Sequence, residues 1–268
     1  MSVTTIFLIL FGVALLLSAI GFYKFVYFIS VGYGAAIFGQ GIALLALFWD
    51  KLNIASVLLC ILLILYGIRL SGFLLYREIK NAAYRKQLKK EVKDTSKMKF
   101  LTKFILWISC ALLYVLMVSP VAFRFCNGDF TVDAAYIVGI AVCIFGLVLE
   151  SASDMTKSNF KKKNPDKLCK VGLFKIVRCP NYLGEMLIWT GFLLVAVSSL
   201  CTVAQWIVAL LGYIGIIFVM FSGARRREEQ HEKRYGKDPE YQVYAKTVPI
   251  LLPFVPLYSL KKYKFLVF

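Results

Sequence analysis

Seven apolar segments constrain this chain more than any other feature of its sequence. Each is close to the roughly 20 residues that an α-helix needs to cross about 30 Å of hydrocarbon. The composition agrees, because 60% of the 268 residues are hydrophobic and the mean hydropathy is +0.73, too apolar for a water-soluble globule to cover itself with polar surface. We therefore predict an all-α, polytopic membrane protein with seven transmembrane helices. The predicted spans are Thr4 to Phe22, Val26 to Trp49, Ile54 to Tyr76, Phe104 to Phe123, Ala134 to Ser153, Tyr182 to Ser199 and Thr202 to Gly223.

Basic residues set the predicted orientation in the membrane. The formal net charge of +17 is concentrated in Arg77 to Lys103, Lys157 to Arg178 and Arg225 to Lys264. Because Lys and Arg in short loops favour the cytoplasmic side, we expect the N-terminus outside and the C-terminus in the cytoplasm of a bacterial cell. The stretch Lys86 to Lys103 is typical of a solvated basic linker. Seven cysteines without ligand spacing and a single His favour neither a metal site nor a disulfide framework.

The third apolar segment has a polar face toward its inner end. Tyr66 and Arg69 are three residues apart and Arg77 follows two helical turns later, so the three side chains share one face. Arg69 lies deep enough in the segment that an acidic partner is expected, and Glu150 or Asp154 would serve. Arg77 lies nearer the interface, where a lipid headgroup is an equal alternative.

Polar groups also converge at the junction between the fifth and sixth spans. Glu150 and Asp154 are four residues apart, as are Asn181 and Glu185, so each pair lies on one face of its helix. The loop between the pairs is strongly basic, and cations and helix N-termini both favour oxyanions such as phosphates. The acids and the amide suit hydroxyl and carboxamide groups, so the region offers what a phosphorylated cofactor requires. The alternative is that the lysines only follow the cytoplasmic bias of positive charge, which leaves the acids and Asn181 unexplained.

Three strings carry a resemblance to a known family. The stretch GLFKIVRCPNYLGE at 172–185, preceded by ESASDMTKSNF at 150–160, resembles the cofactor-binding core of the steroid 5-alpha-reductase-like family. The stretch RYGKDPEYQVYAKTVPILLPFVP at 234–256 is similar to the tail of that family and of the sterol C14 and C24 reductases. The string YGIRLSGFLLYR at 66–77 also resembles the family. The likeness covers most of the chain after Tyr66 and is strongest in about the last 120 residues.

The resemblance implies a seven-helix membrane enzyme that uses NADPH to reduce a carbon–carbon double bond conjugated to a carbonyl in a steroid-like or isoprenoid lipid. Tyr66 matches the tyrosine that donates a hydrogen bond to the substrate carbonyl, where it would stabilise the developing enolate. The acid that usually assists this tyrosine has no clear match, and Gln40 in the second span is the candidate. The resemblance places cofactor contacts at Asp154, Asn181 and Glu185, and phosphate contacts at basic and tyrosine positions of the inner loops and tail. The full predicted cofactor-binding set is Arg69, Arg77, Glu150, Asp154, Lys157, Lys161, Arg178, Asn181, Tyr182, Glu185, Arg226, Tyr235 and Tyr244.

Departures from the family pattern keep other functions open. Cys179 stands where the family usually has His. The run Arg225 to Glu229 is also seen in S-adenosylmethionine-dependent membrane methyltransferases of the isoprenylcysteine carboxyl methyltransferase type. A third interpretation is a non-enzymatic lipid-binding protein, whose buried acids would form structural ion pairs. His231 in the charged tail is expected to be solvated.

We expect one membrane domain over the whole chain, with substrate binding in its N-terminal half and cofactor binding in its C-terminal half. Residues 1–123 would supply four helices on the substrate side. Residues 134–256 would supply three helices, cytoplasmic loops and the tail on the cofactor side, with the cofactor site facing the cytoplasm. The expected partners are the membrane and a lipid-soluble small molecule, and no nucleic acid.

Overall fold

The computed structural model describes residues 1–80, 84–85, 88 and 98–266. Over these residues the chain is helical and contains no β-strand, which confirms the all-α prediction. The α-helices are α1 (Val3–Ser18), α2 (Val31–Leu47), α3 (Ile54–Lys80), α4 (Phe100–Cys126), α5 (Ala134–Lys163), α6 (Pro180–Ala196), α7 (Val203–Tyr235) and α8 (Pro239–Thr247). Most of the basic linker predicted at 86–103 lies outside the described residues.

Five segments of the described chain are long and apolar enough to cross a membrane. They are Val3–Phe22, Ile54–Lys80, Phe100–Cys126, Ala134–Lys163 and Val203–Tyr235. The predicted second span is only partly α-helical, because a 3-10 helix occupies Phe25–Ile29 and the apolar helix α2 that follows has 17 residues. Helix α6, at the predicted sixth span, also has 17 residues. Five of the seven predicted spans thus have a matching long helix, and the second and sixth remain predictions.

The chain divides into two compact units. Unit 1 comprises residues 1–137 and 195–212, and unit 2 comprises residues 138–194 and 213–268. In unit 1, α2 and α3 touch backbone to backbone, since a Cβ added at Gly67 would lie 2.4 Å from the carbonyl oxygen of Gly34. Small residues that let helices approach closely therefore account for glycines of the second span.

In unit 2, α5 and α6 pack antiparallel with their backbones in contact. A Cβ added at Gly146 would lie 2.6 Å from the carbonyl oxygen of Gly184, and one added at Gly191 would lie 2.6 Å from the backbone nitrogen of Cys143. A Cβ at Gly184 would also lie 2.7 Å from the backbone nitrogen of Glu150. The missing side chains thus bring Glu150 against the first turns of α6.

The tail of unit 2 returns to the start of α6. Tyr241 and Tyr244 of α8 pack with Leu168 in a buried cluster. Beyond α8, the backbone nitrogens of residues 178–179 donate to the carbonyl oxygens of residues 249–250 at 2.8 and 2.9 Å. This short backbone pairing holds the tail beside the residues that lead into α6.

Candidate functional site

A basic cleft lies in unit 2 between residues of α5, the loop that follows it, α7 and the tail. It contains about 300 Å³ of empty space, part of it open to solvent. Its lining residues are Lys157, Lys161, Leu168, Cys169, Phe174, Arg178, His231, Tyr235 and Tyr244. This described lining includes three cationic side chains and two phenols but no carboxylate, so the cleft favours an anionic ligand.

Helix α5 supplies two of the cations, one helical turn apart. The Lys161 ammonium donates to the carbonyl oxygens of Pro165 at 3.1 Å and Lys167 at 2.6 Å, and to the Tyr235 hydroxyl at 3.1 Å. These acceptors are neutral, so they fix the ammonium group without cancelling its charge. The half-buried Lys157 ammonium lies 5.9 Å from the centre of the Phe174 ring.

Arg178 contributes the third cation from the loop before α6. The residue is only 5% exposed, and its guanidinium donates to the carbonyl oxygen of Tyr258 and lies 3.7 Å from the Glu228 carboxylate. Its Nε is buried and has no hydrogen-bond partner among the described residues. The guanidinium is thus held by one carbonyl oxygen and one carboxylate, and Arg178 adds a third cationic side chain to the lining of the cleft.

The two tyrosines of the cleft have different surroundings. The Tyr244 hydroxyl donates to the Phe174 carbonyl oxygen at 2.6 Å, and burial raises the pKa of Tyr244, so this group stays a neutral phenol. Tyr235 is half-buried beside Lys161, and its ring centre lies 6.0 Å from that of His231. The expectation that His231 is solvated is wrong, because the turn of α7 that carries it forms part of the cleft wall.

The predicted acids and amide gather where α5 meets α6. Glu150 and Glu185 are 3% and 6% exposed, whereas Asp154, Asn181 and Tyr182 are half-buried. None of these five residues is among the described residues that line the basic cleft. Helix α5 nevertheless carries both sets, because Asp154 precedes Lys157 by less than one turn.

The remaining predicted cofactor ligands lie elsewhere. Arg226 is exposed on α7 and is not among the described lining of the basic cleft. Arg69 and Arg77 belong to unit 1, where their guanidinium carbons lie 5.8 and 5.6 Å from the Phe73 ring centre. Arg77 also lies 3.9 Å from the Tyr84 ring centre, so aromatic contacts hold this helix end.

The acids that favoured the methyltransferase alternative have structural partners. Glu228 is 6% exposed and accepts a hydrogen bond from the backbone nitrogen of Leu260 at 2.9 Å, in addition to its approach to Arg178. Glu229 pairs with Arg225, one turn earlier on α7, at 3.1 Å. Both carboxylates therefore serve to fix the tail and the end of α7.

A cluster of buried tyrosines surrounds the predicted catalytic residue in unit 1. The Tyr66 hydroxyl donates to the Tyr33 hydroxyl at 2.6 Å, and the two residues are 0% and 6% exposed. The ring of Tyr33 stacks on that of Tyr114 with centres 4.9 Å apart. The Tyr114 hydroxyl donates to the Phe28 carbonyl oxygen at 2.5 Å, which anchors the cluster to the chain before α2.

Gln40 takes no part in the hydrogen bonds of Tyr66, Tyr33 and Tyr114 described above. It is fully buried, and its amide nitrogen donates to the carbonyl oxygen of Leu10 on α1 at 3.3 Å. Its amide oxygen has no hydrogen-bond partner among the described residues. The catalytic role of Gln40 stays a prediction, and Tyr33 is a partner of Tyr66 that sequence reasoning missed.

The local sequence around Tyr33 and around His231 favoured a different role for each residue. Tyr33 lies in a glycine-rich span where a tyrosine is also compatible with packing, and His231 lies in a run of charged residues typical of a solvated helix. A signal for Tyr33 was present, because a hydroxyl within an apolar run requires a hydrogen-bond partner.

Comparison with known proteins places these observations in a family. The family described as "Protein of unknown function (DUF1295)" matches residues 20–248 of this chain. The chain is 30% identical over 131 residues to 3-oxo-5-alpha-steroid 4-dehydrogenase 1 of Rattus norvegicus, which covers 47% of this chain and 44% of that protein. It is 29% identical over 129 residues to the Homo sapiens protein of the same name, covering 47% and 44%.

A plant protein shows a similar level of likeness. The chain is 29% identical over 125 residues to steroid 5-alpha-reductase DET2 of Arabidopsis thaliana, covering 45% of this chain and 42% of that protein. The matched regions therefore span less than half of the curated relatives. No solved structure matches this chain.

Proposed function

Since this chain belongs to the DUF1295 family of steroid 5-alpha-reductase-like membrane proteins, we propose that it is an NADPH-dependent ene-reductase. Its proposed substrate is a steroid-like or isoprenoid lipid with a carbon–carbon double bond conjugated to a carbonyl. The reaction consumes the enone, NADPH and one proton, and yields the saturated carbonyl compound and NADP⁺. The observation that carries the proposal is the basic cleft lined by Lys157, Lys161 and Arg178.

The side chains of the basic cleft fit the phosphates of a dinucleotide. Lys157, Lys161 and Arg178 supply positive charge, and Tyr235 supplies a neutral phenol. Three cationic side chains in a described lining without a carboxylate suit an oxyanion better than a neutral ligand. A cation near the ribose is also what distinguishes a 2′-phosphate from a 2′-hydroxyl, so the cleft supports NADPH over NADH.

The acids at the α5–α6 junction suit the uncharged parts of the same cofactor. Glu150 and Glu185 are almost fully buried, and Asp154 and Asn181 are half-buried beside them. Carboxylate and amide oxygens accept hydrogen bonds from ribose hydroxyls and from a carboxamide, while lysines and arginines donate to phosphates. We assign ribose and carboxamide contacts to this acidic group. Arg69, Arg77, Tyr182 and Arg226 remain in the proposed cofactor set on the family likeness.

When bound, the nicotinamide supplies a hydride to the β carbon of the enone. Negative charge then develops on the carbonyl oxygen, and Tyr66 donates a hydrogen bond to that oxygen. Tyr33 accepts from Tyr66 at 2.6 Å in the structure, and rotation of the two hydroxyl hydrogens lets Tyr33 donate to the Tyr66 oxygen instead. A donor that is itself hydrogen-bonded stabilises the developing enolate more strongly. A proton from solvent completes the reaction at the α carbon.

The proposed topology follows the charge distribution. Seven spans would place the N-terminus outside and the basic loops, the basic cleft and the C-terminus in the cytoplasm, where NADPH is available. The first four helices would bind the lipid, and residues 134–256 would bind the cofactor. A cysteine accessibility scan across Cys201 and the loop around Lys167 tests this arrangement, with opposite sides expected for the two positions.

A screen tests the proposed function. Purified protein in detergent should oxidise NADPH in the presence of a 3-oxo-4-ene steroid, a polyprenal or a long-chain enone, with a product two mass units heavier than the substrate. NADPH should raise the melting temperature and S-adenosylmethionine should not, because a ligand that binds only the native state stabilises it. Stabilisation by S-adenosylmethionine alone would support the methyltransferase alternative instead.

A further inference from the structure

A closed turn in the tail presents an apolar tip. The backbone nitrogen of Ile250 donates to the carbonyl oxygen of Leu257 at 2.9 Å, which joins the ends of residues 250–257. At the tip, Phe254 is 100% exposed and has φ +65°, a conformation that a bulky L-residue rarely adopts. Leu251 at the base of the turn is fully buried, so the turn is anchored while its phenyl group extends outward. We call residues 250–257 the Phe254 turn.

The Phe254 turn lies at the level where the apolar part of unit 2 ends. It begins at the backbone pairing of residues 249–250 with residues 178–179, directly before α6. Gly184 of α6 packs against Glu150 of α5, and Pro180 lies about 6 Å further along the axis at 1.5 Å per residue. Because the helices are antiparallel, Pro180 is level with about residue 154, where the apolar run of α5 gives way to lysines. The base of the turn is therefore close to the level at which the apolar run of α5 ends.

The surroundings of the tip have the composition of a membrane-interface segment. Val255 and Tyr258 are 43% and 40% exposed beside Phe254. The exposed lysines Lys261, Lys262 and Lys264 follow, and Lys261 pairs with Glu232 at 3.0 Å. Aromatic and aliphatic groups next to lysines insert into the acyl boundary while the ammonium groups remain among anionic headgroups.

We propose that the Phe254 turn inserts into the lipid leaflet in which α6 begins, as a second membrane anchor for the tail. The lipid surface covers the phenyl group and Val255, and the following lysines bind the anionic headgroups. The anchor would hold residues 249–250, and with them Arg178, against the membrane side of the basic cleft. This proposal concerns how the tail is held and does not depend on which reaction the protein catalyses.

Site-specific photo-crosslinking tests the anchor in the full chain. The full-length protein carries p-benzoylphenylalanine at position 254, which keeps the aromatic side chain and disturbs the turn little. It is reconstituted into vesicles of phosphatidylcholine and phosphatidylglycerol and irradiated. The matched control carries the same group in place of Asp166, whose side chain is 91% exposed in the basic loop. We expect lipid adducts by mass spectrometry at position 254 and several-fold fewer at position 166.

Other outcomes would overturn the proposal. Adducts from position 254 to a second copy of the chain would show that the tip is a protein interface. Lipid labelling at position 254 no greater than at position 166 would show that the tip has no preference for lipid, and no labelling at 254 in protein with an unchanged melting temperature would show that the tip faces water. In the reconstituted full chain, Phe254→Ser should make the tail more accessible to added protease, whereas Phe254→Leu should preserve its protection, and equal accessibility of the two variants would also overturn the proposal.

Discussion

The basic cleft of unit 2 and the tyrosine cluster of unit 1 differ in the charge of their polar groups and in how those groups are paired. The described lining of the cleft contains three cationic side chains and no carboxylate. The buried Nε of Arg178 has no hydrogen-bond partner among the described residues. The cluster gathers neutral phenols that donate to one another and to a backbone carbonyl, as Tyr66 does to Tyr33 at 2.6 Å. The first arrangement favours an anionic ligand, and in the second the hydroxyls of Tyr66 and Tyr114 each have an acceptor.

The difference indicates two kinds of ligand. Three cationic side chains, of which Arg178 is paired with Glu228, favour a multiply charged anion from water, which fits the proposed phosphorylated cofactor. A neutral donor in apolar surroundings strengthens hydrogen bonding to an uncharged carbonyl without the cost of burying an ion, which matches a lipid ketone or aldehyde. Substitutions in the cleft should therefore change cofactor affinity, and substitutions in the tyrosine cluster should change the reaction rate.

Removal of the Tyr66 hydroxyl should have the largest effect. We expect Tyr66→Phe to lower kcat about 10²- to 10³-fold, the usual cost of losing one donor to a developing oxyanion. The increase in melting temperature caused by NADPH should stay unchanged, since the cofactor contacts are intact. Steady-state kinetics and thermal unfolding in detergent measure the two quantities. A variant that loses NADPH stabilisation but keeps kcat would reverse the assigned roles.

Removal of one cation from the basic cleft should act on the cofactor alone. We expect Lys157→Gln to weaken NADPH binding about tenfold, the scale of one hydrogen bond to a charged group, and to weaken NADH binding less. Lys162→Gln is the matched control, because Lys162 is exposed on the same helix and is not among the described lining of the cleft. Isothermal titration gives the two affinities. Equal losses in both variants would mean that the cleft acts only through net charge.

The partner of Tyr66 should have a smaller effect than Tyr66 itself. We expect Tyr33→Phe to lower kcat about threefold to tenfold, because one neutral hydrogen bond contributes about 0.5–1.5 kcal/mol. The apparent affinity for NADPH should not change. Gln40→Leu provides a comparison, since Gln40 donates to Leu10 on α1. A larger loss of kcat from Gln40→Leu than from Tyr33→Phe, at equal melting temperature, would return the assisting role to Gln40.

The folded protein should be less stable at alkaline pH than at neutral pH because of Tyr241 in the tail. Burial, with the nearby Glu232 carboxylate, raises the pKa of Tyr241 to about 12 from 10. The folded chain then binds more protons than the unfolded chain between these values, so stability falls as pH rises from about 10 to 12. We expect the melting temperature to drop over this range, and Tyr241→Phe to reduce the drop. A pH profile that is identical in both proteins would contradict this assignment.

The sequence predicted the class of fold well but not how polar groups pair. Apolar length identifies α1, α3, α4, α5 and α7 as candidate spans because hydrocarbon thickness sets a minimum length for a helix. The same rule is weak for α2 and α6, whose 17 residues fall short of a full span. Helical spacing also placed Glu150 on the inner end of α5, but only the structure shows that Gly184 lets it contact α6.

Partners distant in sequence were beyond the reach of spacing arguments. Tyr33 and Tyr66 are 33 residues apart, and nothing local to either one shows that their hydroxyls meet. His231 was assigned to solvent because its neighbours are charged, whereas the packing of α7 turns it into the basic cleft. The string 172–185 pointed to the region of the proposed cofactor site through family likeness, and in the structure its basic side chains line the cleft whereas the acidic ones do not.

If the proposed cofactor site is right, the protein transfers hydride from a reduced nicotinamide to a conjugated lipid. NADPH deuterated at the transferring position of the nicotinamide, mixed with the protein and an enone panel in detergent, tests this transfer. We expect a saturated carbonyl product that carries one deuterium at the β carbon, with an equal amount of NADP⁺ formed. A panel that returns only unchanged enones, or a reduced product without deuterium at that carbon, would contradict it.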